Sequence, residues 1–272
     1  MNSSILINSA ISTGKPVMVA RFGSVEIKGI LYPSMPRFFR ILVKERIFYT
    51  MANNAGFFSI DESSVEKFSE LMLRDIEQLD ILGSWRPEEL LLRNRLKNVH
   101  KIGLSELEPY LSSQPWSQLL LGKRVLVVHP FASTIEEQYH NKRTLLFKDD
   151  RVLPVFKSLA TIKAVQTISG QKSEFSDWFE ALESMKIAID KQEYDVAIIG
   201  CGAYGFPLAA HVKRSGKQAI HLGGATQILF GIKGKRWDNN PVIGPMYNEH
   251  WVRPAPEDVP RQAKKVEGGC YW

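Results

Sequence analysis

The sequence predicts an α/β protein with a Rossmann-like, mainly parallel sheet covered by helices on both faces. First, short apolar runs rich in β-branched residues, such as 125–128 and 194–199, are typical of buried parallel strands. Second, strand-like and helix-like segments alternate along the chain. Third, several of these strands end in glycine and other small residues. We expect residues 1–272 to form one domain: an N-terminal half (1–120), a Rossmann-like half (121–232) and a long irregular C-terminal tail (233–272).

Composition and the start of the chain favour a cytoplasmic globular protein. The chain is 44% hydrophobic and 24% charged, which is ordinary for this class. It has no run of 18 apolar residues, so we expect no transmembrane helix. The start lacks a basic leader followed by a long apolar stretch, so we expect no secretory signal. The two cysteines, Cys201 and Cys270, lack metal-ligand spacing, which favours reduced thiols and no zinc site.

Positive charge favours anionic partners. Lysine and arginine number 35 against 29 acidic residues, giving a net charge of +6 and a pI of about 9.2. Nucleotides, phospholipid head groups and nucleic acid all fit this charge. We expect no nucleic-acid partner, because the sequence has neither zinc-finger spacing nor an aromatic RNA-binding signature.

The first strand leads into a candidate ligand site. A short helix is predicted over 3–12 and a buried strand over 16–20, followed by Arg21-Phe22-Gly23-Ser24-Val25-Glu26. Helix 27–31 follows, with Ser24 as its expected N-cap. This order places Arg21 and Glu26 at the carboxyl edge of the sheet, where open α/β folds bind ligands. An equally strong alternative is that Glu26 complements the helix dipole and pairs with Arg21.

Residues 37–51 are expected to form a helix with Phe38, Ile41, Leu42 and Phe48 facing inward. Its basic residues would then face solvent, which we favour over contact with a membrane surface.

Further elements of the N-terminal half follow from caps and prolines. Ser63-x-x-Glu66 predicts a capping box that opens a helix to about Leu79. A short strand at 81–83 precedes Trp85, for which core packing is favoured over stacking on a ligand. Pro87 begins another helix.

The second half opens with a buried strand at 125–128 that ends at His129. Ser133 or Thr134 is the expected cap of a helix from Ile135 to about Lys142, although these hydroxyls could equally hold a phosphate. His129 lies where ligands approach, and a buried, hydrogen-bonded histidine is the alternative. A strand at 162–167 and a helix at 177–189 follow.

A glycine-rich bend follows the strand at 194–199. It reads Gly200-Cys201-Gly202-Ala203-Tyr204-Gly205 and precedes helix 206–214, which has Pro207 near its start and Gly216 after its end. The next strand, 218–222, ends in Gly223-Gly224. Glycines let backbone N–H groups approach a ligand, and a helix N-terminus favours negative charge, so the bend predicts a phosphate site.

The Gly-x-Gly-x-x-Gly spacing also matches a dinucleotide fold, but two observations argue against one. That motif requires an Asp or Glu at the end of the second strand, and here the strand ends in His221-Leu222-Gly223-Gly224. The motif normally opens the fold, whereas here it lies late in the chain.

After a short helix through Phe230 comes the tail, which combines aromatic residues with carboxylates and a histidine. We expect it to be ordered over the sheet edge, where it would either bind sugar rings and hydroxyls or simply cover apolar surface. Glu249 and His250 are candidates for activating an acceptor.

Four segments in this order carry a resemblance to a known family: residues 21–26, Asn54-Ala55-Gly56-Phe57-Phe58, the strand 125–129 and the late glycine-rich unit. Together they resemble the GT-D-type glycosyltransferases of bacterial glycan assembly, over 16–224. The family motif is Arg-Phe-Gly-Asp-x-Glu, whose acidic pair is associated with a metal and with the diphosphate of a sugar nucleotide. Ser24 occupies the position of the Asp here, while Glu26 keeps the carboxylate.

The resemblance implies a hexosyltransferase-type enzyme that moves a sugar from a nucleotide-diphosphate donor to a glycan acceptor. We expect the acceptor to be lipid-linked, in surface polysaccharide or glycoprotein assembly, with the enzyme at the inner face of an anionic membrane. Glu26, Glu249 and His250 are the predicted catalytic residues. The predicted substrate-binding residues are Arg21, Phe22, Gly23, Ser24, His129, Ser133, Thr134, Gly200, Gly202, Tyr204, Gly223 and Gly224.

Several alternatives stay open at this point. A Mn²⁺ or Mg²⁺ ion at Glu26 is in question, because one carboxylate without its partner Asp is a poor divalent site. Retention and inversion of the anomeric centre are both open. The loss of the Asp is also compatible with a non-catalytic subunit that binds a nucleotide or glycan, and a nicotinamide oxidoreductase is the weaker rival.

Overall fold

The computed structural model describes residues 3–167, 173–260, 263–266 and 268–272. Its centre is a seven-stranded sheet in the order β3-β2-β1-β7-β6-β4-β5, in which all paired strands are parallel. The predicted α/β class with a Rossmann-like parallel sheet is therefore confirmed. Strands from both halves of the chain share the sheet, because β1 pairs with β7.

The strands lie close to their predicted positions, with two differences. They are β1 (Val17–Ala20), β2 (Ile81–Ser84), β3 (His100–Gly103), β4 (Arg124–His129), β5 (Ser158–Lys163), β6 (Val196–Ile199) and β7 (Gln218–His221). β3 was not predicted: it is an edge strand in which only Ile102 is buried, so it lacks an apolar run. β5 replaces the strand expected at 162–167, because its pairing with β4 begins at Ser158 opposite Arg124.

The helices are α1 (Ser3–Ser12), α2 (Glu26–Leu31), α3 (Arg37–Asn54), α4 (Glu62–Asp75), α5 (Ala132–Leu146), α6 (Trp178–Asp190), α7 (Gly205–Arg214), α8 (Ala225–Leu229) and α9 (Lys235–Asp238). Short 3₁₀ turns connect many of them, including Pro87–Leu92 where a helix was predicted. None of the helices in the described part of the chain combines the length and apolar character needed to cross a bilayer.

The sheet separates two apolar cores, because successive strand residues point to opposite faces. In β4, Leu126 and Val128 face one core, whereas Val125 and Val127 face the other. Helices α2, α4, α6 and α7 contribute to the first core. Helices α1, α5 and α8 contribute to the second. Cover on both faces explains why β1, β6 and β7 are buried at every position.

Three predicted helix caps are wrong. In α4 the capping box joins Asp61 and Ser64 instead of Ser63 and Glu66: the Asp61 carboxylate accepts from the Ser64 N–H at 2.6 Å. Ser24 does not cap α2, whose N-cap is Val25 without a side-chain bond. α5 begins at Ala132, before both hydroxyl residues expected to cap it, so neither Ser133 nor Thr134 is in the cap position.

The predicted orientation of α3 is wrong for three of its four apolar residues. Phe38, Ile41 and Leu42 are exposed, whereas Phe48 packs against the core as predicted, beside the buried residues Ile47 and Met51. The Met51 side chain packs directly on Gly29 of α2, where even a Cβ would lie within 2.9 Å of its sulfur. This close approach fixes which of two competing apolar stripes faces the core.

The C-terminal tail is packed against the carboxyl edge of the sheet. Ile232 forms a parallel bridge with Val252. Asp258 is buried, and its carboxylate accepts hydrogen bonds from Lys163 Nζ at 2.7 Å and Thr134 Oγ1 at 3.3 Å. The Trp272 indole N–H donates to the Asp258 carbonyl at 3.2 Å. These bonds hold the end of the tail beside β5 and α5.

Candidate functional site

A cavity of about 440 Å³ lies at the carboxyl ends of the central strands. Each of β1, β4, β6 and β7 supplies lining residues immediately after, or at, its last position: Arg21, His129, Gly200 and His221. This is the crevice in which open α/β sheets bind ligands, and its volume is in the range of small-molecule sites. The predicted convergence of Arg21, Glu26 and the Gly200 bend on one rim is therefore observed.

Arg21 follows β1 directly and is the central cation of the cavity. Its guanidinium carbon lies 4.8 Å from the centroid of the Trp85 ring. Burial lowers the pKa of Arg21, and the nearby carboxylates of Glu26 and Glu108 oppose this by raising it. The group still carries its charge at neutral pH, because an arginine begins from a pKa above 12. A partly desolvated cation attracts an anion more strongly than an exposed one does.

The carboxylate of Glu26 folds back over Gly23. A Cβ placed on Gly23 would collide with this carboxylate, so only glycine leaves room for it. Both residues line the cavity, together with Ser24 between them. The sequence Gly23-Ser24-Val25-Glu26 thus acts as a tight turn that presents the carboxylate to the cavity at the start of α2.

The two glycine bends are packed main chain against main chain. A Cβ on Gly200 would lie 2.6 Å from the Gly223 carbonyl oxygen. Gly200 N–H donates to the Val128 carbonyl at 2.9 Å and Gly223 N–H to the Ile199 carbonyl at 3.3 Å, so these two amides are used within the sheet. Within the described part of the chain, Gly202 and Gly224 donate no such hydrogen bond. Among the glycine amides of the two bends that line the cavity, those of Gly202 and Gly224 are therefore the ones not used within the sheet.

The end of α3 and the residues that follow it pack against the Gly200 bend and line the cavity. Asn54, Ala55 and Gly56 line the cavity, and the Ala55 carbonyl lies 3.3 Å from the position of a Cβ on Gly202. Tyr204 also lines the cavity, but its ring stacks on Trp178 with centroids 4.8 Å apart. Burial raises its pKa, so the phenol stays neutral.

Two buried histidines border the cavity in opposite tautomers. His129 Nδ1 accepts from the Phe131 N–H at 3.0 Å, which leaves the proton on Nε2. His221 Nδ1 lies 3.1 Å from the Ile199 carbonyl oxygen, which can only accept, so here the proton is on Nδ1. Burial lowers the pKa of His129 to about 3. Burial, with a smaller contribution from Arg21, lowers that of His221 to about 4. Both rings are neutral at physiological pH.

Aromatic residues of the tail complete the rim. Trp237, Tyr271 and Trp272 line the cavity, as does Arg236. The Arg236 guanidinium carbon lies 4.7 Å from the centroid of the Tyr271 ring. The tail therefore contributes flat apolar faces and a second cation to the site.

Five residues predicted for the site lie outside the cavity lining. Phe22 is fully buried in the core and stacks on Phe206 at 4.9 Å. Ser133 is exposed, and Thr134 Oγ1 bonds to Asp258 instead of facing a ligand. Glu249 and His250 follow the Asn248 turn, which is fixed to the end of α5 by bonds to Leu145 and Leu146. This attachment keeps both away from the cavity, so they do not remain candidates.

The cavity residues that were not predicted include the polar residues Glu108, His221, Gln227 and Arg236. Glu108 accepts from the Tyr110 hydroxyl at 2.8 Å, and burial raises its pKa. Gln227 is buried, and its Oε1 lacks a partner among the described residues. Nothing near Glu108 or Gln227 in the sequence indicates a site. His221 could have been found, because it ends a strand beside the glycine bend as His129 does.

The residues present do not form a metal site by themselves. Over the described ranges, no three His, Cys, Asp or Glu side chains are grouped so that they could hold a metal ion. Ser24 in place of an acidic residue removes the obvious second ligand next to Glu26. We therefore derive no step through a metal ion.

Taken together, the cavity offers two arginines, two available backbone amides, a carboxylate on a tight turn and several aromatic faces. This combination suits a ligand with an anionic centre joined to a flat or ring-shaped part. Comparisons of the chain with protein-family models, curated proteins and solved structures gave no match.

Proposed function

We propose that the protein is a glycosyltransferase that takes a sugar from a nucleotide-diphosphate donor and transfers it to a lipid-linked glycan acceptor. One observation supports this proposal above all. The separate segments on which the family resemblance rests all line the same cavity. Residues 21–26, 54–56, His129 and the Gly200 bend are distant in sequence, yet all contribute to its lining.

The diphosphate would lie between Arg21 and the two glycine bends. When the sugar leaves, the bond between its anomeric carbon and the phosphate oxygen breaks, and the electron pair stays on the diphosphate. Arg21 and the N–H groups of Gly202 and Gly224 would stabilise this charge, and Arg236 would add a second cation from the tail. Donors already held in place by a folded site need little reorganisation as the charge develops.

Glu26 would act at the reacting sugar. An acceptor hydroxyl that attacks the anomeric carbon must lose its proton, and a carboxylate within hydrogen-bond reach can accept it. Because Gly23 has no side chain, the Glu26 carboxylate can occupy the space beside it at the cavity. Trp85, Trp237 and Tyr271 would supply the flat faces for the base or sugar rings.

Binding of the donor is the direct test. A panel of UDP-, GDP-, ADP-, dTDP- and CMP-sugars, together with NAD, is assayed by thermal unfolding with and without Mn²⁺. We expect one of the diphosphate sugars to stabilise the fold, by about 2.7 kcal/mol at a hundredfold excess over its dissociation constant, and the CMP-sugars, which carry a single phosphate, to have no such effect. Arg21→Gln should weaken this binding at least roughly tenfold, as expected for the loss of a charged hydrogen-bonding partner.

Glu26→Gln separates binding from transfer. We expect it to bind the donor and lose transfer by roughly a hundredfold or more, as removal of a general base does. Glu106→Gln is the matched control, since Glu106 lies in a similar turn three residues after Gly103 but outside the cavity lining. Donor binding without turnover in the wild type would indicate a binding subunit. Stabilisation by NAD alone would contradict the proposal.

A further inference from the structure

Helix α3 exposes an apolar surface that the fold does not cover. Phe38 and Ile41 are each 68% exposed, Leu42 is 64% exposed and Tyr49 is 62% exposed. We refer to these four side chains as the α3 surface. Singly exposed apolar residues are common, whereas a contiguous group of this kind on one helix marks a site of interaction.

The group forms one stripe on the helix. Residues 38, 42 and 49 recur at spacings of four and seven, which places them on the same side. The buried residues Ile47 and Met51 occupy the opposite side. At a rise of about 1.5 Å per residue, the stripe extends about 16 Å from Phe38 to Tyr49 along the helix. An apolar stripe of this length fits a partner that contacts the side of the helix along its axis, and not a partner that contacts only one end of the helix.

Basic residues flank the stripe. Arg37 and Arg46 lie near its borders, and among the described residues neither has a carboxylate within 4 Å. Arg40 and Lys44 lie toward α4, where they pair with Glu66 at 3.7 Å and Glu62 at 3.1 Å. Glu45 is the only acidic residue of the helix; it is exposed and lies on the same side as the stripe, four residues from both Ile41 and Tyr49. The partner must therefore accept apolar side chains and tolerate or prefer positive charge beside them.

We propose that the α3 surface docks the protein onto an anionic lipid bilayer, with the helix lying in the plane of the head groups. Aromatic and aliphatic side chains enter the boundary of the acyl region, and the arginines meet acidic head groups at the borders. A second copy of the chain fits less well. In a twofold interface each surface meets itself, which would bring the arginines of the two copies together.

Docking through α3 also determines where the cavity lies relative to the bilayer. Asn54, the last residue of α3, lines the cavity. A helix that lies flat on the bilayer therefore keeps the cavity rim beside the head-group layer, where a membrane-borne substrate would be within reach. The docking inference does not depend on the proposed transfer reaction, because binding to lipid requires neither donor nor acceptor.

Co-sedimentation of the full chain with vesicles tests the proposal. We expect binding to vesicles of phosphatidylcholine mixed with phosphatidylglycerol, and much weaker binding to pure phosphatidylcholine. Phe38→Ser with Leu42→Ser should reduce binding at least roughly tenfold, because two large apolar side chains no longer enter the bilayer. Arg37→Gln with Arg46→Gln should reduce it roughly fivefold for each charge removed.

The matched control is Leu121→Ser with Val155→Ser. These two side chains are 65% and 53% exposed, but they precede β4 and β5, at the amino ends of these strands. Circular dichroism and thermal unfolding confirm that every variant is folded. The proposal fails if wild type binds neither kind of vesicle, or if the control lowers binding as much as the α3 variants do. A dimer that depends on Phe38 and Leu42, without vesicle binding, would assign the surface to a second copy instead.

Discussion

Because Gly23 has no side chain, the carboxylate of Glu26 can lie directly over it. The carboxyl group of Glu26 occupies the space that a Cβ would take, and both residues face the cavity. The chain has a close counterpart at Gly103 and Glu106, where the Glu106 carboxylate accepts from the Gly103 N–H at 3.3 Å. Only the turn at Gly23 and Glu26 borders the cavity. Comparing substitutions in the two turns therefore distinguishes a structural role of such a turn from a functional role.

Gly23→Ala is therefore expected to displace the Glu26 carboxylate without unfolding the protein. The obstructing atoms are the end of a flexible side chain, so the backbone can stay in place while the carboxylate moves. We expect transfer to fall by roughly a hundredfold and the unfolding free energy to change by less than about 1 kcal/mol. Turnover is measured alongside urea unfolding.

Gly103→Ala is the control for this variant and should leave transfer unchanged. A Gly23→Ala protein that keeps full turnover would show that the position of the Glu26 carboxylate is irrelevant to the reaction.

The elements of the fold differ in how far the sequence determined them. Buried strands such as β4 and β6 were predicted well, because a short apolar run between turn residues is typical of a strand that is covered on both faces. β3 was missed and β5 misplaced, since edge strands are mixed in polarity and take their position from a neighbour. The orientation of α3 was wrong for three of its four predicted apolar residues because two apolar stripes compete, and the contact between Met51 and Gly29 that decides between them is not visible in the sequence.

The candidate site was predicted in part, for a similar reason. Residues next to strand ends, such as Arg21 and Gly200, can be located from the sequence, because parallel strands bring their carboxyl ends to one edge. Glu108 lies between two short 3₁₀ turns and Arg236 in the short helix α9, and the path of both segments depends on tertiary packing. Glu249 and His250 were suggested by residue type alone, and type does not determine position.

The tail is an element whose attachment can be tested at Asp258. This buried carboxylate receives bonds from Lys163 and Thr134, and its carbonyl receives the indole of Trp272. Asp258→Ala would remove the carboxylate that accepts from Lys163 and Thr134, whereas the backbone carbonyl that accepts from Trp272 would remain. We expect a loss of about 1–3 kcal/mol from the stability of the tail. Limited proteolysis after 255 and weaker donor binding should follow, because Tyr271 and Trp272 would lose their fixed places at the cavity.

Asp238→Ala serves as the comparison, since the Asp238 pair with Arg253 is on the same tail but more exposed. Surface pairs contribute little, so its effect should be below about 1 kcal/mol. Equal protease sensitivity of the two variants would argue against Asp258 as the anchor.

On the scale of the whole molecule, contacts between the two halves make the sheet a single unit. Arg214 of α7 bonds to the buried Asp75 of α4 at 2.6 Å, and Lys213 bonds to Asp80 beside β2 at 2.7 Å. The histidines at the strand ends belong to this unit, since His129 and His221 are both buried where β4 and β7 reach the cavity.

We expect these two histidines to make global stability fall in mild acid. In the folded protein their pKa values are lowered to about 3 and about 4, whereas in the unfolded chain they should return to about 6.5. Below pH 6.5 the unfolded chain binds protons that the folded protein does not, so stability present above this pH is lost as pH falls toward the folded values. Each histidine should cost about 2 kcal/mol between pH 7 and pH 5.

Urea unfolding at both pH values checks this expectation. His129→Asn and His221→Asn should each reduce the pH dependence by that amount, because asparagine can keep the Nδ1 hydrogen bond without titrating. His140→Asn, at an exposed position, controls for the loss of any histidine. A pH dependence that is the same in all three variants would contradict the assignment.

The close packing of the Gly200 and Gly223 bends limits how this site can change. With main chain against main chain, any larger residue at Gly200 would push β6 and β7 apart, so the floor of the cavity tolerates almost no variation. Proteins that share this floor but select different ligands would have to differ elsewhere. The surface free to vary is the aromatic rim from Trp237 to Trp272, so exchanging the tail between such proteins should exchange their ligand preference while the sheet stays intact.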